Sequence, residues 1–167
     1  MVNKGVIVLG SLAAGGVLVF LLNHKAKAGP GPGEGNVVIE ILDENGNPVP
    51  RGNSFDLTEG QNYSVRLSVK NTSTKAGQTW PATLIIGLVV KLGGANLITP
   101  VNSLVSFAAG EQKAFNYPFS LLLGDGGKTG AIAASLGDPE GGILGSASDV
   151  INVVEIPIVY GGTISIG

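Results

Sequence analysis

The carboxylates at glycine-rich turns are the side chains of this sequence best suited to chemistry. Asp43-Glu44-Asn45 share one turn, Asp138-Pro139-Glu140 another, and Asp125 sits within Gly124-Asp125-Gly126-Gly127. Oxygen ligands of this kind suit a hard cation such as calcium. No turn has the twelve-residue spacing of an EF-hand loop, and an Asp in a turn also bonds its own backbone. No metal site is therefore assigned, with Asp43 and Asp138 the nearest candidates. The single histidine, His24, borders an apolar stretch, so no Ser–His–Asp set can be assembled in the rest of the chain. There is no cysteine, which excludes disulfides, a thiolate zinc site and a cysteine nucleophile. The stretches GDPEGGILG (137–145) and DGGKTG (125–130) are glycine-rich but lack the strand–loop–helix frame of a phosphate loop. Both read as hairpin turns. The sequence thus points away from an enzyme and away from a cofactor.

Two further groups of residues invite a binding role. Trp80, Phe107, Phe115, Tyr117 and Phe119 could form a carbohydrate platform. Their shared parity along strands favours a row of core aromatics instead. Asn62-Tyr63-Ser64 and Asn71-Thr72-Ser73 satisfy the N-glycosylation sequon, making Asn62 and Asn71 possible acceptors in an exported protein.

The elements that carry these residues are short and alternating. From residue 36 the hydrophobic period is two. NVVIEIL (36–42) reads as a first strand, residues 54–57 as a second, and QNYSVRLSVK (61–70) as a third with Tyr63, Val65, Leu67 and Val69 on one face. Residues 78–91 place Trp80, Ala82, Leu84, Ile86, Leu88 and Val90 together, with Pro81 marking an edge or bulge. Further strands are expected over 97–107, 112–123, 128–136, 148–160 and 163–166. Seven to nine short strands with a turn about every ten residues describe an all-β fold, an immunoglobulin-like β-sandwich spanning residues 36–167.

Ahead of it stand two segments of different character. GVIVLGSLAAGGVLVFLL (5–22) has no charge. As a helix it would span about 27 Å against a bilayer core of about 30 Å, so residues 1–27 read as a single membrane anchor. Gly10, Ser11, Ala14 and Gly15 form a small-residue patch suited to helix self-association. Two other fates are open. Ala26-Lys27-Ala28 fits a signal-peptide cleavage site before Gly29. Lys4-Gly5 before an apolar helix resembles the start of a type IV or archaeal pilin-like precursor, cut after Gly5, although Val6–Gly10 holds no acidic residue. Residues 28–35 alternate Gly and Pro and read as a spacer.

Charge divides along the same line. Residues 1–28 carry Lys4, Lys25 and Lys27 and no acid, while all twelve acids lie beyond them. A net-negative domain has no footprint for nucleic acid, and basic residues beside an apolar segment favour a lipid surface. Only 13% of residues are charged and 27 of 167 are glycine, giving a surface of Gly, Ser, Thr and Asn.

The domain resembles an immunoglobulin-like domain of the cell-adhesion-related bacterial type (CARDB). The resemblance is carried by YSVRLSVKNTSTKAG (63–77), the strand at 82–90, FAAGEQKAFNYPF (107–119) and GKTGAIAASL (127–136), and covers roughly residues 36–160. It implies adhesion, scaffolding or display without catalysis. The expected protein is therefore a membrane-anchored structural or surface-display protein. Its domain lies outside the cell or on a virion, and its partners are the lipid membrane, further copies of itself or other structural proteins. The alternatives are a virion or pilus-like filament subunit, and a secreted glycan- or ion-binding module.

Overall fold

A computed structural model of the protein describes residues 36–140 and 142–157. The apolar segment, its small-residue patch, the spacer and the strand expected over 163–166 lie outside the described residues. Those described contain no helix long and apolar enough to cross a membrane.

The strands are β1 (Val37–Leu42), β2 (Phe55–Thr58), β3 (Asn62–Lys70), β4 (Thr74–Lys75), β5 (Gln78–Thr79), β6 (Ala82–Leu92), β7 (Ala95–Asn96), β8 (Val101–Phe107), β9 (Gln112–Ser120), β10 (Thr129–Gly137) and β11 (Ile143–Val154). Eight have four or more residues, and β4, β5 and β7 have two each. Leu92–Asn96 closes as the small hairpin of β6 and β7. The glycine-rich loop expected to run to Gly145 ends earlier, because β11 starts at Ile143 and pairs with β10 across a bulge after Leu136.

Two sheets carry the fold. One has the order β1-β3-β9 and is antiparallel throughout. The other runs β2-β11-β10-β6, with β7 and β8 pairing β6 beyond it. Only β2 runs parallel to its neighbour, β11. A three-stranded sheet facing a larger one, with an early strand crossing over to pair the last, is the arrangement of an immunoglobulin-like sandwich.

Alternation explains the core. Val65, Leu67 and Val69 of β3 face Leu84, Ile86, Leu88 and Val90 of β6, all at most 1% exposed. Ile132, Leu136, Ile151, Leu57 and Ile41 complete the layer with no measurable exposure. The inward row of each strand is apolar and the outward row is mostly small and polar, as period-two patterning requires. β10 is the exception. Ala133 and Ser135 point outward yet are buried, since β10 lies between β6 and β11 and its small side chains sink below theirs.

One buried ion pair interrupts the apolar layer. Asp149 shares the inward parity of Ile151 and Val153, and Arg51 of the β1–β2 connection reaches it at 2.8 Å. Burial raises the Asp149 pKa, with Arg51 pulling against it. Removing one partner of such a pair leaves a buried charge uncompensated.

Gly130 fixes the β10–β6 contact. A Cβ there would lie 2.2 Å from the carbonyl oxygen of Lys91 and 3.2 Å from the Leu92 Cα, both backbone. Gly130→Ala is therefore expected to cost about 3 kcal/mol or more in urea denaturation. Gly46→Ala, at φ +82° with open space around it, should cost only the left-handed penalty of about 1–2 kcal/mol. Equal losses would show that backbone crowding does not set the β10–β6 spacing.

Candidate functional site

The polar side chains of the domain gather at the two ends of the sandwich, and there they hold loops. At the end where β1 begins, Asn71 is fully buried. Its Nδ2 donates to the carbonyls of Trp80 (2.8 Å) and Ala108 (2.9 Å), and its Oδ1 accepts the Ser73 amide at 2.9 Å. One side chain so ties the loop after β3 to the start of β6 and to the β8–β9 turn. This corrects the reading of Asn71 as a glycan acceptor: the nitrogen a glycan would need is enclosed and already donates twice. Asn62 is different. It is exposed at the start of β3, where its Oδ1 accepts the Ser120 hydroxyl at 2.6 Å.

At the opposite end, Glu59 is 9% exposed and unites three segments. Its Oε2 accepts the amides of Gly124 (2.7 Å) and Gly126 (3.1 Å), and its Oε1 accepts that of Ile156 (3.1 Å). These amides, Ile156 first, hold its pKa below the ordinary carboxylate value. Asp125 works beside it. Its Oδ1 takes the Lys128 ammonium at 2.7 Å and its Oδ2 the Leu122 amide at 2.8 Å, and Lys128 above all lowers its pKa. Glu59 escaped the sequence reading because its partners lie 65 or more residues away, and a Glu in a turn carries no mark of such a role.

The nearest metal candidates are engaged in the same way. Asp43 Oδ1 accepts the amides of Asn45 and Asn47 at 2.9 and 2.8 Å, and the Asn47 amide leads in lowering its pKa. Asp138 Oδ1 accepts those of Glu140 and Gly142 at 2.9 and 3.0 Å. The two sit in separate loops, after β1 and after β10. Among the described residues, no three His, Cys, Asp or Glu side chains are grouped to hold an ion.

The aromatics separate. Phe107 and Phe119 are buried at 3% and 5%, and Phe115 and Tyr117 are partly buried against the same core. Tyr63 stacks on Phe119 at 5.8 Å and accepts the Thr58 amide through its hydroxyl. Trp80 departs from the expected core row and is 50% exposed. The physical reason is that it precedes β6, beyond the reach of the facing sheet, with Pro81 between. There it continues the β4–β5 hairpin by donating its amide to the Ser73 carbonyl. Ala76 and Gly77 turn this hairpin at φ 51° and 78°, the signs a type I′ turn requires. Lys75 Nζ lies 4.9 Å over the indole ring.

A cleft of about 260 Å³ opens on the outer face of the smaller sheet, lined by Asn36, Val38, Ser68, Lys70, Thr72 and Gln112. Asn36 Nδ2 crosses it to Thr72 Oγ1 at 2.8 Å and to the Leu144 carbonyl at 3.0 Å. Its polar groups close the domain end on itself.

No protein-family model matches the chain, and no curated protein matches it. Among solved structures, it is similar to the CARDB domain of a Pyrococcus furiosus protein in complex with di-metal ions. The identity is 16%, 73% of this chain and 96% of that chain are covered, and the TM-score is 0.45. It is also similar to the C-terminal domain of wzt (14% identity, 77% and 79% covered, TM-score 0.46). A third likeness is to the sporulation control protein Spo0M from Bacillus subtilis (16%, 72% and 50%, TM-score 0.37). At these scores the sandwich assignment rests on the chain's own sheets and core.

Two outcomes follow from the loop clamps. A carboxyl with a depressed folded pKa stabilises above its unfolded pKa, and that contribution is lost as pH falls through the folded value. Glu59 is such a group, so wild-type stability should decline on acidification below about pH 4.5, its ordinary value. Glu59→Gln should be less stable at pH 7 and show a flatter acid limb. Asp149, with its raised pKa, acts with the opposite sign in both proteins and leaves the comparison intact. Superimposable pH profiles would mean that the clamp contributes nothing. Separately, Asn71→Ala strands the Trp80 and Ala108 carbonyls, and calorimetry should read a loss of about 2–4 kcal/mol.

Proposed function

We propose that this chain is a non-enzymatic structural or surface-display protein, in which residues 5–22 anchor the chain in a membrane and residues 28–35 space an immunoglobulin-like domain from it. The domain lies on the extracellular side, or on the outside of a virion, and works by contact. The observation that carries this reading is the engagement of the polar side chains. Asn71, Glu59, Asp125, Asp43 and Asp138 each hold backbone groups of a loop; Glu59 and Asp125 pin the same one, and among the described residues no three acidic side chains gather about one point. A domain whose polar groups are engaged this way is a rigid scaffold. Its end loops are presented to a partner rather than arranged around a substrate.

The apolar, uncharged run at 5–22, flanked by Lys4, Lys25 and Lys27, supports the anchor. The acidic balance of residues 29–167 argues against a nucleic-acid partner. A virion or pilus-like filament subunit is the second reading, favoured by the small residues Gly10, Ser11, Ala14 and Gly15 on the same segment.

Intact mass and N-terminal sequencing of the protein from its native source test the choice. A start at Met1 or Val2 retains the apolar segment and is the expected result. A start at Gly29 would make the domain a secreted module and sink the anchor. A start at Val6 would move the protein to the filament reading.

A further inference from the structure

The strands run between two poles that differ in character. β1 enters beside Lys70 and Asn71, where the β4–β5 hairpin and Ile143 also lie. The chain leaves the described domain at the other pole, where Glu59 gathers the Leu121–Gly127 loop and Ile156. Seven large hydrophobic side chains are exposed among the described residues. Trp80 and Ile143 lie at the entry pole, and Leu122, Leu123, Val154 and Ile156 at the exit pole. Leu104, on β8, alone sits elsewhere.

The exit pole is a rigid apolar knob. Leu122 and Leu123 are 70% and 78% exposed, yet their loop is fixed by the Asp125 and Glu59 carboxylates. Leu123 lies against Gly60, whose φ is +72° and where a Cβ would come within 3.0 Å of Leu123 Cδ2 and 3.9 Å of Ile156 Cδ1. Two neighbouring leucines held out of the core on a pinned loop form an anchor for a partner. The rim of this knob is acidic. Glu155 packs over Gly126 and Glu44 lies on the turn after β1 at the same pole, while of the cations there Lys128 is paired to Asp125 and Lys91 stands near the end of β6.

The entry pole offers the complement. Trp80 presents half its surface with Lys75 over its ring, and Lys70 ends β3 at the same pole, on the rim of the cleft. No carboxylate occurs between Glu59 and Glu111 in the sequence, so the hairpin is purely basic. Glu111, on the β8–β9 turn, is paired with Lys113, and Asp138 and Glu140 are further carboxylates on the loop after β10, so the basic surface is confined to Lys70 and Lys75.

We infer that the Leu122–Leu123 knob of one copy docks on the Trp80–Lys75 hairpin of a second copy, joining the domains head to tail. The acidic rim meets Lys70 and Lys75, whereas a knob-to-knob contact would bring two acidic rims together. Because donor and acceptor surfaces lie at opposite poles, each copy keeps one of each, and the contact repeats into rows. An eight-residue spacer reaches about 25 Å when extended, so copies tethered to one surface can lie along it. The contact lies wholly within residues 36–157 and does not depend on how residues 1–35 are processed.

The absence of cysteine from the chain makes the test direct. Full-length Leu122→Cys and Gln78→Cys proteins are prepared separately in mild detergent, mixed and oxidised. The expected product is the mixed 122–78 disulfide, in clear excess over 122–122 and 78–78 dimers. Adding Trp80→Ser to the Gln78→Cys partner should lower its yield about tenfold, the size of a lost aromatic anchor. Predominant 122–122 dimers would overturn the head-to-tail geometry in favour of a two-fold contact. Monomers only, whether the knob is covered by residues 158–167 or by lipid, would overturn the self-contact altogether. A yield unchanged by Trp80→Ser in a protein with wild-type thermal stability would exclude the hairpin as the acceptor.

Discussion

Backbone groups removed from water must find partners, and at the ends of a two-sheet sandwich the ladders no longer supply them. This domain meets that constraint with a few side chains of long reach. Asn71 serves two carbonyls and one amide at one pole, and Glu59 serves three amides at the other. Each joins segments far apart in the chain. Each is also enclosed, which strengthens its bonds and makes their loss costly. The two sheets provide the bulk of the burial, but these two residues decide where the loops lie.

Fixed loops change what the ends of the domain can be. A mobile loop carrying two leucines would fold them inward or fray. The Leu121–Gly127 loop can do neither, because Asp125 holds its start and Glu59 its end. The β4–β5 hairpin is held comparably by Asn71 through the Trp80 carbonyl. The carboxylates and amide that resemble catalytic or metal-binding groups in the sequence hold the backbone of the end loops instead.

Much of the fold was legible along the chain. The alternation in 61–70 and 82–90 placed Val65, Leu67, Leu84, Ile86 and Leu88 on one face, and all are buried. The turn residues at 43–45 and 124–127 separated the strands correctly. The misreadings share one cause. Trp80 continued the parity of β6 but lay past the edge of the facing sheet. Asn71 belonged to a sequon yet sat under two loops. Parity says which side of a strand a residue takes, and nothing about whether anything lies opposite.

The sequence by itself determined the period-two strands, the inward rows, the glycines at tight turns and the contrast between an apolar uncharged run and an acidic β domain. These are local properties, set by alternation, turn chemistry and composition. Only the tertiary structure decided that β2 crosses over to pair β11, that Glu59 meets Gly124 and Ile156, that Asp149 is buried against Arg51, and that the exposed leucines and the exposed tryptophan stand at opposite poles. Each of these joins residues dozens of positions apart. Their pairing follows from how two twisted sheets stack, and no short window of sequence records it.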